Sequence, residues 1–370
     1  MSLAERFLGG GPFTIEPIDH TPVAGATKCL YRVRAADGRS AVVKVLHQGA
    51  NRRWPAAASS TSPWWWRREA SAYASDALRA RLAAAGLRMP RLLGLADREP
   101  LADREPLTDR EPLTDREPLA DREPHTDPPT DRDPTVCALW LEDLTGTPGH
   151  TWDVERIAGA AGSFGRLAAL EPIDEPWLSR GWLRSYTRLR DEDEAAFAKP
   201  WGDLEHLRAP AERLWAERDR WLAVLDTLPR SLAHLDLWPG NLFDDEGATV
   251  VTDFAYTGIA AIGEDLGNLV PDSVADLWQP VALIDQLDTA TWAAFAAALP
   301  PSVDLRLARL GLCASTAVKF SWFAPRLAGV DDRETWGRFN GATYPVQREA
   351  FLASIELVQA RADEARRLAP

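Results

Sequence analysis

The sequence predicts an α+β fold in two lobes, a small antiparallel β-rich lobe with one helix followed by a larger, mainly helical lobe. Three features carry that expectation. Residues 1–95 contain short runs of β-branched and aromatic residues separated by turn signals. From Val154 onward, apolar residues recur at helical spacing. Within that helical part, Leu242-Phe243 and Val250-Val251 bracket the polar turn Asp244-Asp245-Glu246-Gly247, which reads as a β-hairpin. A length of 370 residues suits two domains or two lobes of one.

Composition narrows the classes of partner. Apolar residues make up 45% of the chain, with sixteen Trp and eleven Phe, enough for a substantial core. No apolar run is long enough to span a bilayer, and Met1–Phe13 lacks the basic start and apolar middle of a signal peptide, so a cytoplasmic protein with no membrane partner is expected. Cys29, Cys137 and Cys313 are widely spaced and odd in number, which fits buried thiols rather than a disulfide framework or a zinc site. The net charge is −13, but residues 96–134 alone carry eight Asp, five Glu and six Arg, so the remainder is only mildly acidic. No basic patch with interleaved aromatics stands out, and nucleic acid is not an expected partner.

The first strands are predicted at Phe13–Ile15, Cys29–Val33 and Ser40–Leu46, with Asp37-Gly38 turning the last two. The small-residue turn Thr21–Thr27, including Gly25, fits either an ordinary hairpin loop or a close backbone approach to phosphate oxygens. Lys44 lies inside the apolar run Ala41–Leu46 and shares a strand face with Val42. A buried ammonium there needs an anion, and Glu69, on a helix predicted over 64–85, follows in the right order; an exposed edge strand is the other setting for such a lysine. The chain has four Lys against thirty-eight Arg, so a lysine in this place is informative.

After the strand Met89–Leu95, the hexad Ala-Asp-Arg-Glu-Pro-Leu starts at Ala96 and recurs, with Thr for Ala at times, from Ala102, Thr108, Thr114 and Ala120. A Pro in every hexad prevents a continuous helix and interrupts any sheet ladder, which predicts a flexible, extended insert. Its repetition is the one feature that suggests a protein partner. An apolar strand resumes at Thr135–Leu141 and ends in Glu142-Asp143-Leu144. Helices follow behind Asp153 as a cap, over 208–228, and near 280–298, 303–327 and 345–367. The expected division is 1–95 with 135–144 as the first lobe, 96–134 as the insert, and 145–370 as the second lobe.

The stretch Ser231–Asp253 carries the chemistry. His234-Leu-Asp236 is followed five residues later by Asn241, and Asp253 closes the hairpin strand. With only six His and four Asn in the chain, one of each falls at this spacing. An Asp there can receive a hydroxyl proton. An Asn and an Asp that converge can hold Mg²⁺ against nucleotide phosphates, because that ion prefers one or two protein oxygens plus phosphate oxygens. As purely structural residues, the three would be a turn carboxylate, a turn residue and a strand-end cap.

At these residues the chain resembles the aminoglycoside phosphotransferase and choline-kinase-like family, which shares the protein-kinase fold. The family's loop commonly reads His-Gly-Asp-Leu-His-Pro-Gly-Asn; here Leu235 and Trp238 replace the Gly and the second His. Asp253-Phe-Ala255 and Gly263-Glu-Asp-Leu-Gly267 match its metal strand and acidic-glycine segment. The resemblance implies a two-lobed protein-kinase-like fold outside the repeat, with ATP, or GTP, and Mg²⁺ between the lobes. It implies that Asp236 aligns the acceptor hydroxyl, Asn241 and Asp253 carry the metal, and Lys44, held by Glu69, neutralises phosphate charge. The backbone of Glu142 and Leu144 would pair with adenine, His234 would support the loop, and Asp265 would cap a helix or brace the loop. The implied acceptor is a small molecule bearing a hydroxyl, such as an aminoglycoside or other antibiotic, an amino alcohol or a sugar. Asp191-Glu-Asp-Glu194 reads equally as a site for a cationic acceptor and as a solvated helix end. The competing reading is a catalytically silent protein of the same fold that binds a nucleotide or a partner. A protein kinase is disfavoured by the missing glycine triplet and Ala-Pro-Glu segment.

Overall fold

A computed structural model describes residues 3–9, 11–18, 26–49, 57–97, 135–330 and 342–369. Gly25 and the repeat beyond Asp97 lie outside the described residues. In chain order, helix α1 (Leu3–Leu8) precedes strands β1 (Phe13–Pro17), β2 (Thr27–Ala35) and β3 (Ser40–His47). Helices α2 (Arg68–Ala74) and α3 (Asp76–Ala84) follow, then β4 (Leu87–Arg88), β5 (Leu92–Ala96), β6 (Val136–Glu142) and β7 (Thr147–Pro148). The remainder comprises α4 (Val154–Ala169), β8 (Ser179–Arg180), α5 (Trp182–Leu189), α6 (Glu205–Ala216), α7 (Arg218–Thr227), β9 (Arg230–Ala233), β10 (Leu242–Asp245), β11 (Ala248–Val251) and β12 (Gly258–Ala261). Helices α8 (Leu266–Ala275), α9 (Ile284–Ala298), α10 (Leu305–Lys319), α11 (Phe323–Ala328) and α12 (Tyr344–Leu368) complete the described chain.

The chain forms two compact units, the first from Met1–Ser60, Trp64–Ala70 and Arg91–Asp143, the second from Thr61–Pro63, Ser71–Pro90 and Leu144–Pro370. The first is organised on an antiparallel sheet in the order β1-β2-β3-β6-β5. Alternation along β3 sends Ala41, Val43 and Val45 into a core with Val33, Ala138 and Trp140. Lys44 leaves the opposite face, with Leu30 on one side and Leu139 on the other. The strand bearing Lys44 is therefore central, and the edge-strand reading falls away.

The second unit is mainly helical. α4 packs on α9 so closely that a Cβ on Gly165 would meet the Phe295 carbonyl oxygen at 2.5 Å. A further core joins α6, α10, α11 and α12 through Leu207, Leu214, Phe320, Phe323, Phe351 and Ile355. Two small sheets are set among these helices, β4-β11-β10-β7 and β8-β12-β9. The parallel pairing of β4 with β11 explains why Ser71–Pro90 groups with this unit. The hairpin expected around Asp244–Gly247 is present as β10 and β11, paired from Leu242↔Val251 to Asp245↔Ala248. The chain is thus mixed α+β, an antiparallel β region followed by a helical region.

Three predicted helices are interrupted. The helix expected over 64–85 begins at Arg68 and breaks at Ser75, whose hydroxyl accepts the Leu78 N–H at 3.1 Å and caps α3. The 208–228 helix divides at Glu217, and the 303–327 helix divides between Lys319 and Phe323. Apolar spacing runs across all three breaks, so periodicity alone does not register them. Among the described residues no helix is long and apolar enough to cross a membrane.

Asp153 caps α4 as expected, its carboxylate accepting the Arg156 N–H at 2.8 Å. Replacing Asp153 with Ala is expected to cost about 1 kcal/mol, the usual worth of such a cap. Urea unfolding should show a lower midpoint with an unchanged slope.

Candidate active site

In the first unit, β3 and the first turn of α2 bring Lys44 and Glu69 together. The Lys44 ammonium lies 2.9 Å from one Glu69 oxygen and 2.7 Å from the other. Both side chains are almost wholly buried, 8% and 2% exposed. A buried charge of this kind persists because it is paired, and losing one partner strands the other. Glu142 ends β6 and is tied to Arg91 twice. Its N–H donates to the Arg91 carbonyl and its carboxylate accepts the Arg91 N–H, each at 2.9 Å. Leu144 follows in the second unit, outside any strand.

In the second unit, the loop after β9 is fastened from several sides. Leu235 adopts a left-handed backbone, φ +67°, which a branched aliphatic residue rarely does. Asp265 holds it there: one carboxylate oxygen accepts the His234 N–H at 2.8 Å and the other the Leu235 N–H at 2.6 Å. Asp265 thus braces the loop, and its side chain makes no capping bond to α8. Two residues earlier, Gly263 packs tightly against α10, with φ +87° and a position where a Cβ would meet the Ala308 carbonyl oxygen at 2.1 Å. The His234 ring is buried between Phe164 and Phe254, and its Nε2 lies 2.9 Å from the Thr252 carbonyl oxygen. Facing a carbonyl, that nitrogen carries the proton. Asn268 on α8 donates to the Leu237 carbonyl at 3.1 Å, a third support from outside the loop.

These supports present Asp236, Asn241 and Asp253 together. The Asn241 amide donates to the Asp236 backbone carbonyl at 2.9 Å and to its carboxylate at 3.1 Å. The Asn241 backbone carbonyl accepts the Thr252 N–H at 2.9 Å, which fixes the residue preceding Asp253. Asp253 also takes a left-handed backbone, φ +59°, a conformation Asp tolerates better than most residues. With its amide nitrogen committed to Asp236, Asn241 has its amide oxygen as its remaining polar group. One amide oxygen and one carboxylate fit a magnesium ion completed by phosphate and water oxygens. Among the described residues, no group of three or more His, Cys, Asp or Glu side chains forms a preformed metal cage.

Electrostatics set this loop apart. Burial pushes the Asp236 carboxyl above its ordinary range, opposed mainly by the Lys319 ammonium and reinforced by the charge of Asp253. Burial likewise raises Asp265, Asp272 to about 7, and Asp276. Asp272, Asp276, Asn268 and Lys319 were not singled out in the sequence. Lys319 did carry a signal, since it is one of four lysines and ends the run Ala314-Ser-Thr-Ala-Val318. The acidic cluster that was singled out is committed elsewhere in part: Asp193 pairs with Arg190 and Arg326, and Asp191 with Arg218 at 3.1 Å.

Fold and loop geometry define a kinase-like phosphotransferase. The chain belongs to the phosphotransferase enzyme family, whose profile matches residues 21–301. Among solved structures it is similar to an amicoumacin kinase in complex with AMP-PNP and Ca²⁺, with a TM-score of 0.51 and 11% identity over 94% of this chain and 89% of that one. It is also similar to an aminoglycoside phosphotransferase from Alicyclobacillus acidocaldarius, with a TM-score of 0.50 and 14% identity over 94% of this chain and 91% of that one. A choline kinase from Cryptosporidium parvum gives a TM-score of 0.50 and 11% identity over 99% of this chain and 92% of that one. At these identities the likeness is one of fold. No curated protein matches the chain by sequence.

Two expectations follow. Glu69→Ala should destabilise the protein by about 3–5 kcal/mol, the range for stranding one member of a buried pair, as read by urea unfolding. The second concerns pH. Burial lifts the Glu264 carboxyl from 4.5 to about 7, so the fold favours its protonated form. Its contribution is fully present below pH 4.5 and is lost as pH rises to about 7. Unfolding midpoints should therefore fall between pH 5 and pH 8, and Glu264→Gln should fall less.

Proposed function

We propose that this protein is an ATP-dependent kinase that transfers the γ-phosphoryl group to a hydroxyl of a small molecule, with GTP as an alternative donor. The observation that carries this reading is the joined set of Asp236, Asn241 and Thr252-Asp253, in which the Asn241 side chain holds the candidate base and the Asn241 backbone carbonyl holds the residue beside the second carboxylate. Asp236 aligns the acceptor hydroxyl and takes its proton as the new P–O bond forms. The bond to the β-phosphate oxygen breaks, and its electron pair leaves with ADP. Asn241 and Asp253 would hold magnesium, which when bound neutralises phosphate charge. Lys44, fixed by Glu69, engages the phosphates from the first unit, and the backbone of Glu142 and Leu144 is assigned to the adenine. Gly25 keeps its proposed place beside the phosphates on sequence grounds alone.

The acceptor is a small hydroxylated molecule of the antibiotic, amino-alcohol or sugar kind. Asp272 and Asp276 add two carboxylates to the electrostatic surroundings of Asp236, whose attraction comes chiefly from Lys319. An amine on the acceptor would favour the ionised form of these carboxyls as it binds, so acceptors that also carry an amine are favoured.

A mass-shift screen over aminoglycosides, amino alcohols and sugars, with ATP and Mg²⁺, is expected to show a gain of one phosphate. Asp236→Asn should lower turnover by at least a hundredfold while leaving AMP-PNP affinity within a few-fold, since it removes a group used in the transition state. Nucleotide binding without transfer to any acceptor would favour a silent binding protein, and an unchanged rate in Asp236→Asn would sink the mechanism. Chelating the divalent ion with EDTA should abolish transfer, and added Mg²⁺ should restore it.

A further inference from the structure

The residue that faces Asp236 most directly from outside its own loop is Lys319. It ends α10, eighty-three positions further along the chain, and its ammonium sits 3.9 Å from an Asp236 carboxylate oxygen. The side chain is nine-tenths buried, with 10% of its surface exposed. Its nitrogen stands over aromatic rings, 4.9 Å from the Trp182 centroid and 5.8 Å from those of Tyr186 and Phe320. Lys319 also lines a recess with Trp182, Leu235, Glu264, Asn268 and Ser315.

An ammonium has three donors and no acceptor. Among the described residues the Lys319 ammonium makes no hydrogen bond, and its 3.9 Å separation from Asp236 is an ion pair beyond hydrogen-bond range. Burying a lysine without using its donors is costly, and a residue kept only to balance charge would gain from closing on a carboxylate. The position makes chemical sense when an acceptor is considered. A hydroxyl bonded to Asp236 sits roughly 2.7 Å from a carboxylate oxygen, and a phosphoryl group that meets it on the Lys319 side comes within reach of the Lys319 donors.

We propose that Lys319 is a catalytic residue of the transfer step, its ammonium donating to a non-bridging oxygen of the phosphoryl group as that group passes to the oxygen held by Asp236. This rests on the phosphotransfer reading given above. Lys319 gains and loses no proton in the step; the acceptor proton goes to Asp236. The ammonium offsets charge that is shared among the phosphoryl oxygens and is most exposed to it in the transition state.

The test uses water as the acceptor, so that it does not depend on identifying the natural one. Phosphate release from Mg-ATP is measured for the wild type, Asp236→Asn, Lys319→Met and Lys319→Arg, alongside AMP-PNP affinity and melting temperature. Lys319→Met is expected to lower the maximal rate at least tenfold, in line with losing one transition-state donor, while AMP-PNP affinity stays within about threefold. Lys319→Arg should recover part of that rate. If Lys319→Met fails to fold, Lys319→Gln against Lys319→Arg makes the same comparison. Release that is sensitive to Asp236→Asn but within twofold of wild type in Lys319→Met overturns the role of Lys319 alone. Equal losses in the Met and Arg variants that follow the melting temperature also overturn it, since they mark a counter-ion that only supports the fold. Wild-type protein with neither Asp236-dependent release nor transfer to any acceptor of the mass-shift screen overturns the phosphotransfer reading, and the Lys319 role falls with it.

Discussion

The second unit's chemistry depends on one carboxylate that takes no part in it. Asp265 accepts two successive N–H groups, from His234 and Leu235, and in doing so holds Leu235 in a left-handed conformation. Such a backbone costs on the order of 1–3 kcal/mol for a residue with a branched side chain. Two hydrogen bonds accepted by one buried carboxyl group are enough to offset it. The next residue is Asp236, so its direction is inherited from a bend that the local sequence would not adopt unaided.

The remaining supports make that bend rigid. His234 reaches across to Thr252, Asn268 reaches from α8 to Leu237, and Asn241 bridges Asp236 and Thr252. Each uses a buried donor or acceptor that would otherwise lack a partner, so satisfying the polar groups and fixing the geometry are one event. A site arranged in this way before substrate arrives needs little reorganisation when charge develops.

Local chemistry explains which parts were legible in the sequence. Lys44 and Glu69 could be paired in advance because a lysine in an alternating apolar strand has few ways to be buried, and one acid followed at a suitable distance on a helix. Asp236, Asn241 and Asp253 were legible because their spacing falls within one loop and one hairpin. Lys319 presents the same kind of anomaly as Lys44, a lone lysine in an apolar run. It was missed because its partner lies eighty-three residues away and no alternation or spacing links them. Asp265 was visible as a structural acid, but whether it would cap α8 or brace the loop depended on a tertiary contact to residues some thirty positions earlier, which no local spacing shows. The helix breaks at Ser75 and Glu217 were hidden for a different reason: apolar spacing reports which side of a segment is buried, and it continues across a change of axis.

The Asn241–Thr252 bond carries a consequence for how substitutions here must be read. Asn241 is at once a proposed metal ligand, the donor that orients Asp236 and the anchor of the strand end that delivers Asp253. The last of these is a backbone contact, which survives a change of side chain, whereas the first two do not. A variant at Asn241 therefore perturbs the metal and the base in the same stroke, and its effect cannot be divided between them by subtraction. Paired with a change at Asp236 it should give a double variant little worse than the worse single one, the behaviour of two residues that act as one working part.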